Sequence, residues 1–188
     1  MRKLVSLIHL SLDGFCAGPK GEMDWITVNP AIFADADRVI ESAGAAVYGR
    51  TTYGMMRGYW PAVINDEKQP EDRRAHARWV ENIEKITFSR TLEKSDWNNV
   101  KLRRDVAEIF DFKRQPGKNL LIFGSPGLVR SLQALDAIDE YWMFLNPVLL
   151  GEGVRFFDGA HKTRFRIAEA KRLEPDVMRF HYVRQDQA

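Results

Sequence analysis

Two stretches of the sequence have the same layout, Val47-Tyr48-Gly49-Arg50-Thr51-Thr52-Tyr53 and Leu121-Ile122-Phe123-Gly124-Ser125-Pro126-Gly127. Each starts with apolar residues typical of a β-strand, passes through a glycine and a hydroxyl residue, and continues as a helical pattern. The first N–H groups of a helix have no partner inside the helix, and the helix dipole adds partial positive charge there. Each turn is therefore suited to bind a phosphate group. Capped helices after strands are also common in α/β proteins, so an ordinary structural interpretation stands beside this one.

The two turns together indicate more than either does alone. Glycine allows the backbone to come close to a ligand, and threonine or serine supplies a hydroxyl donor. Arg50 adds a fixed positive charge and a planar set of donors beside the first turn. We therefore predict that the two turns hold the pyrophosphate of a dinucleotide between them.

The rest of the chain alternates between strand and helix patterns around these turns. Strand patterns occur at residues 4–10, 45–48, 85–89, 100–102 and 119–123. One further helical pattern begins at Asn29-Pro30, and two others cover residues 71–82 and 105–112. Toward the C-terminus, a long apolar strand pattern covers residues 138–150 with an interruption at Asn146-Pro147, and residues 165–173 and 177–183 form a hairpin pattern. This order predicts one α/β domain over residues 1–188, with a mostly parallel central sheet, an antiparallel C-terminal hairpin and helices on both faces.

Composition and charge restrict the class of protein. Apolar residues make up 45% of the 188 residues and charged residues 29%, as is usual for a soluble globular domain. The net charge of +2 is small and the basic residues are scattered, which argues against nucleic acid as a partner. No apolar segment reaches the roughly 20 residues of a membrane span. Cys16 is the single cysteine, so the sequence predicts no internal disulfide and a cytoplasmic location.

Acidic side chains are the candidates for orienting a substrate or relaying a proton. Asp13 and Asp24 lie in a loop rich in glycine and proline, and Asp35 and Asp37 fall on opposite flanks of the apolar stripe of the first helix. We take Asp13, Asp24 and Asp37 as candidate catalytic residues and interpret Asp35 as a solvated surface group. The histidines show no metal-ligand spacing, so no metal site is predicted.

Six short motifs follow one another along the chain. They are Leu12-Asp13-Gly14-Phe15, Met23-Asp24-Trp25, Gly49-Arg50-Thr51-Thr52-Tyr53 with Tyr59-Trp60-Pro61, Phe88-Ser89-Arg90-Thr91-Leu92, Phe123-Gly124-Ser125, and Pro147-Val148-Leu149-Leu150-Gly151-Glu152-Gly153. In this order they resemble the dihydrofolate-reductase-like superfamily, and within it the C-terminal reductase domain of bacterial riboflavin biosynthesis. The resemblance covers nearly the whole chain. It implies a three-layer fold and NADPH as the hydride donor.

The resemblance also implies which residues contact the cofactor. A phosphate at the first helix start would contact Gly49, Arg50, Thr51 and Thr52, and the adenosine ribose with its 2′-phosphate would contact Ser89, Arg90 and Thr91. The pyrophosphate and its neighbouring ribose would contact Gly124, Ser125, Gly127 and Leu128, and the nicotinamide would contact Ala17 and Gly18. A hydroxyl group and an arginine hold a phosphomonoester well, which supports the second group.

The substrate is expected to be a small molecule with a reducible C=N or C=O bond, such as a ribosylamino pyrimidine. Folate-reducing enzymes carry an acid near the position where this chain has Asn29-Pro30-Ala31, which argues against folate. The sequence also has no zinc-deaminase signature of the kind usually joined to the riboflavin reductase domain. We therefore expect a stand-alone NADPH-dependent reductase, and a homodimer as in relatives of this type. The alternatives are a dihydrofolate reductase and a non-catalytic NADPH-binding module.

Overall fold

The computed structural model describes residues 1–159 and 162–185 of the chain. Its strands are β1 Leu4–Leu10, β2 Phe15–Ala17, β3 Ala43–Gly49, β4 Glu84–Phe88, β5 Val100–Arg103, β6 Asn119–Phe123, β7 Glu140–Leu145, β8 Val154–Arg155, β9 Phe165–Leu173 and β10 Val177–Arg184. Its helices are α1 Pro30–Glu41, α2 Arg50–Val63, α3 Glu71–Asn82, α4 Ile109–Arg114 and α5 Pro126–Gln133, with a 3-10 turn at Val106–Glu108.

Eight of the strands form one sheet in the order β5-β4-β3-β6-β1-β7-β10-β9. The pairs from β5 to β7 are parallel, and β10 runs antiparallel to both β7 and β9. This arrangement confirms the predicted fold class, including the antiparallel C-terminal hairpin. The parallel pairing brings the carboxyl ends of β4, β3, β6 and β1 to the same edge of the sheet, where ligands bind in folds of this kind.

Helices cover both faces of the sheet. Apolar side chains of α1, α2 and α3 pack with one face, and those of α4 and α5 pack with the other. β1 shows the consequence, because Leu4 and Ile8 belong to one apolar cluster while Val5 and Leu7 belong to the other. A strand buried on both faces has a continuous apolar sequence rather than an alternating one. The result is the expected three-layer architecture.

Most predicted elements are confirmed, and the differences have local causes. α1 starts as expected, since the Asn29 side chain accepts a hydrogen bond of 3.0 Å from the Ile32 N–H. The strand predicted over residues 138–150 ends where its interruption at Asn146-Pro147 was expected, but it does not resume beyond it; the Asn146 side chain bonds to the loop at Thr27, and Pro147 has no N–H. The short pair of β2 and β8 was not predicted, and it ties the first loop to the segment after β7.

The interpretation of Asp35 as a surface group is wrong. Asp35 is 2% exposed and accepts hydrogen bonds from Arg179 Nε at 2.7 Å and Lys171 Nζ at 3.0 Å. Burial raises the pKa of this carboxyl, but the bonds and positive charges of Arg179 and Lys171 outweigh that effect and lower it. Its role is therefore to join α1 to the C-terminal hairpin.

Packing within the monomer accounts for the apolar character of β7. Trp142 and Phe144 are buried against the cluster that includes α1, and Tyr141 is buried on the opposite face. The apolar residues of β7 therefore do not require a subunit contact, and the homodimer stays a prediction. The cytoplasmic location also stays a prediction. No helix within the described residues is long and apolar enough to cross a membrane.

Candidate functional site

A cleft of about 1120 Å³ lies at the carboxyl ends of β1, β3, β4 and β6. It brings together eleven of the thirteen residues predicted to contact the cofactor. They are Ala17, Gly49, Arg50, Thr51, Thr52, Ser89, Arg90, Gly124, Ser125, Gly127 and Leu128. Residues that are distant in the sequence meet here because their strands are neighbours in the sheet.

The hydroxyl group of Ser125 connects the two glycine turns. Ser125 Oγ accepts a hydrogen bond of 2.8 Å from the Gly49 N–H and donates one of 2.8 Å to Thr52 Oγ1. A Cβ atom on Gly49 would lie 3.0 Å from the same oxygen, so this close approach favours glycine. Because both bonds occupy the Ser125 hydroxyl, its main contribution is to hold the two turns together. The sequence predicted this residue but not this contact.

The two helices that start at these turns lack side-chain caps. Gly49 has no side chain to cap α2, and Ser125 makes no capping bond to α5. Gly124 and Ser125 both have positive φ angles, of 53° and 55°, which turn the chain sharply into α5. Since α2 and α5 lie on opposite faces of the sheet, their uncapped N–H groups flank the ends of β3 and β6. A phosphate group fits such a pair of helix starts.

The cleft also contains two arginines near the end of β4. Arg90 is exposed and follows Ser89, while Arg104 Nη1 donates a hydrogen bond of 2.7 Å to the Ser89 carbonyl oxygen. Arg104 was not predicted, although its place just after the β5 pattern is a signal, because β5 pairs in parallel with β4. Ser89 Oγ accepts the Leu92 N–H at 3.0 Å and shapes this turn, and the turn leaves Thr91 off the cleft lining.

The first loop reaches the opposite end of the cleft. Ala17 lines the cleft, but Gly18 does not, since its N–H bonds to the Glu22 carbonyl oxygen at 2.9 Å within the loop. A Cβ atom on Gly153 would collide with the Ala17 carbonyl oxygen, so the loop packs closely on the segment after β7. The apolar side chains on the cleft lining include Ile8, Met23, Ile26, Met55, Met56 and Phe123.

The structure does not bring the three candidate catalytic acids to the cleft. Asp13 accepts hydrogen bonds from Ser11 Oγ at 2.6 Å and from the Gly151 N–H at 2.8 Å, and so it fastens the first loop. The Ser11 bond is the main reason why the pKa of Asp13 falls to about 2. Asp24 is exposed on the same loop. Asp37 is half-buried on α1, where burial and the charges of two other acids raise its pKa.

Among the described residues, the acid on the cleft lining is Asp105, whose carboxylate caps the 3-10 turn through a 2.9 Å bond from the Ala107 N–H. Two further titratable residues line the cleft and were not predicted, His9 and Cys16. Burial lowers the pKa of His9 to about 4 and raises that of Cys16 to about 11. Both side chains are therefore neutral near pH 7. Within residues 1–159 and 162–185, no group of three His, Cys, Asp or Glu side chains is placed to hold a metal ion.

Comparison with known families identifies the chain. The family model described as the RibD C-terminal domain matches residues 2–179, and the chain therefore belongs to this family. The protein YyaP of Bacillus subtilis (strain 168) is 26% identical over 184 residues, which cover 96% of this chain and 94% of YyaP.

Solved structures share the fold at low sequence identity. A diaminohydroxyphosphoribosylaminopyrimidine deaminase/5-amino-6-(5-phosphoribosylamino)uracil reductase from Thermotoga maritima is 16% identical, with a TM-score of 0.67 over 98% of this chain and 57% of that one. Dihydrofolate reductase from Enterococcus faecalis, complexed with NADP(H), is 16% identical, with a TM-score of 0.67 over 98% of this chain and 97% of that one. Family and fold together support a reductase-type function.

Proposed function

We propose that this member of the RibD C-terminal domain family is an NADPH-dependent reductase that transfers hydride to the C=N or C=O carbon of a small heterocyclic substrate. The observation that carries the proposal is the junction at Ser125, where two uncapped helix starts meet inside one cleft. Two such starts give a pair of anion sites side by side, as a pyrophosphate requires. The NADP(H) complex of a protein with the same fold supports the choice of cofactor.

The arginines at the end of β4 support NADPH over NADH. Arg90 and Arg104 place two guanidinium groups beside the Ser89 turn, at the end of the cleft farthest from β1. Guanidinium groups bind phosphate with paired donors, and the two cofactors differ by one phosphate on the adenosine ribose. Three strand spacings, about 14 Å, separate β4 from β1, so a dinucleotide has room to lie along the sheet edge.

The reacting end of the site would lie near β1 and the first loop. NADPH supplies a hydride when it is bound. Met23, Ile26 and Phe123 form apolar walls that suit a flat ring and exclude water from it. Among the described residues that line the cleft, the acid is Asp105, which lies at the end with Arg90 and Arg104. The proton that accompanies reduction at the other end would therefore come from water.

The substrate class rests on the family and on the T. maritima reductase, whose acceptor is 5-amino-6-(5-phosphoribosylamino)uracil. This chain covers 57% of that deaminase/reductase. The acceptor of its reductase activity is proposed here as the first compound to test. The reaction would reduce its ribosylamino group to the ribitylamino form.

The test is NADPH oxidation, followed by the absorbance of the reduced nicotinamide. The purified chain receives NADPH with 5-amino-6-(5-phosphoribosylamino)uracil, with dihydrofolate, or with no acceptor. We expect oxidation with the pyrimidine, none with dihydrofolate, and a large preference for NADPH over NADH that Arg90→Ala removes. Oxidation with dihydrofolate instead would show a folate reductase. Tight NADPH binding without turnover of any reducible heterocycle would show a binding module, and no binding would refute the cofactor site.

A further inference from the structure

His9 is the next-to-last residue of β1 and lines the cleft at the end away from Arg90. Its ring stacks on Phe144, with the ring centres 4.8 Å apart and an angle of 18° between the planes. It lies on the same face of the sheet as Phe123, beside the apolar walls of the proposed acceptor end. The position of the imidazole is therefore fixed by packing.

The buried side chain of Asn146 decides which nitrogen of His9 carries the proton. Asn146 Oδ1 accepts the Thr27 N–H at 3.0 Å, which fixes the orientation of the amide because a backbone N–H needs an oxygen acceptor. Asn146 Nδ2 then donates to the Phe144 carbonyl oxygen at 3.1 Å, and the Leu10 carbonyl oxygen and His9 Nδ1 each lie 3.4 Å from it. A lone pair on Nδ1 can face this amide group, whereas an Nδ1–H would point at another donor, so the geometry places the proton on Nε2.

The second nitrogen of His9 is left to the cleft. Among the described residues, Nε2 forms no hydrogen bond. Burial lowers the pKa of His9 to about 4, so the ring is neutral near pH 7 and Nε2 is a donor with one hydrogen. The structure thus holds a fixed, neutral N–H group at the end of the cleft where the acceptor would react.

We infer that His9 Nε2–H donates a hydrogen bond to the heteroatom of the acceptor's reducible C=N or C=O bond. The inference rests on the proposed function and assigns a catalytic residue to it. When the acceptor carbon gains hydride, a C–H bond forms and the π electron pair moves to the heteroatom, which takes a proton from water. The reduced nicotinamide is oxidised and the acceptor is reduced by the same two electrons. A fixed donor aimed at the atom that gains charge stabilises the transition state.

His9 would not itself transfer the proton. Loss of Nε2–H from a neutral imidazole would leave a charged imidazolate, which the buried surroundings of His9 disfavour. The role is therefore that of a neutral electrophile that orients the acceptor, at a cleft whose lining does not include Asp13, Asp24 or Asp37.

The first test uses the free protein labelled with ¹⁵N-histidine. Long-range ¹H–¹⁵N correlation distinguishes the two neutral tautomers, and His181→Gln, which removes a histidine outside the cleft lining, helps to assign the signals. We expect the Nε2–H tautomer for His9. The Nδ1–H tautomer, or an imidazolium at pH 7, would overturn the inference. This result does not depend on NADPH binding, so it is separate from the test of the proposed function.

The second test measures NADPH oxidation with 5-amino-6-(5-phosphoribosylamino)uracil. His9→Phe keeps an aromatic ring on Phe144 but removes the donor, and His9→Gln restores an N–H donor. We expect His9→Phe to lower kcat by about 10²-fold or more with NADPH affinity within twofold of the wild type, and His9→Gln to recover part of the loss. An unchanged kcat in His9→Phe would overturn the inference while leaving the reductase intact. Failure of wild-type NADPH binding would instead refute the proposed function.

Discussion

The Ser125→Ala substitution removes the atom that joins the two glycine turns. The variant loses both the bond from the Gly49 N–H and the bond to Thr52 Oγ1, each of 2.8 Å. A partly buried donor left without its partner costs about 1–2 kcal/mol. For a chain of 188 residues, that cost corresponds to a fall of about 2–8 °C in the melting temperature.

The same substitution should weaken cofactor binding, because the helix starts of α2 and α5 are no longer held at one separation. We expect NADPH affinity to fall about tenfold, or about 1.4 kcal/mol, in a fluorescence titration. Ser42→Ala is the matched control, since that hydroxyl lies off the cleft lining and bonds only locally, to the Val39 carbonyl oxygen at 2.7 Å. If Ser125→Ala melts like the wild type and binds NADPH equally well, the junction has no role in shaping the site.

Three further substitutions test other parts of the structure. Arg104→Ala should reduce the preference for NADPH over NADH at least tenfold in the same titration. Arg103, the neighbouring residue, is not on the cleft lining, so Arg103→Ala should leave the preference unchanged. Equal effects of the two substitutions would refute a contact between Arg104 and the 2′-phosphate. Asp35→Asn should destabilise the protein by about 1–3 kcal/mol in urea denaturation, because Arg179 and Lys171 lose the buried carboxylate that they share, while Arg179 keeps Glu169. Folding lowers the pKa of Asp35, so the wild type should lose the stability that this carboxylate contributes as the pH falls through the pKa of Asp35 in the folded protein. An Asp35→Asn variant that loses stability in acid as the wild type does would contradict the role given to Asp35. Burial lowers the pKa of Lys85 to about 8. Above that pH the unfolded state binds more protons than the folded state, so the free energy of unfolding should rise between about pH 8 and pH 10. Lys85→Met should flatten this rise.

Features set by neighbouring residues could be predicted from the sequence. The Asn29 cap depends on a residue three positions away, and the bounds of α3 and β6 follow from local apolar patterns. The two glycine turns belong to the same class, because each is a strand, a turn and a helix in direct succession.

Features that depend on long-range contacts could not be predicted. Asp35 and Arg179 are 144 positions apart, so nothing near Asp35 in the sequence indicates its burial. The Ser125 hydroxyl bonds to Gly49 across 76 positions, and the carboxylate of Asp13 bonds to Gly151 across 138. In each case the partner comes from a distant part of the chain that the sheet order brings close. The role of His9 is hidden for the same reason, since Asn146 sets its tautomer from 137 positions away.

If the proposed function is right, the two glycine turns and the arginines Arg90 and Arg104 form one dinucleotide site. The most direct measurement is an NMR titration of the ¹⁵N-labelled chain with NADP⁺. We expect the backbone amides of Thr51 and Gly127 and the side chain of Arg104 to shift together along one binding curve, while the amide of Asp37 does not move. Shifts at one turn without the other, or none at either, would contradict it.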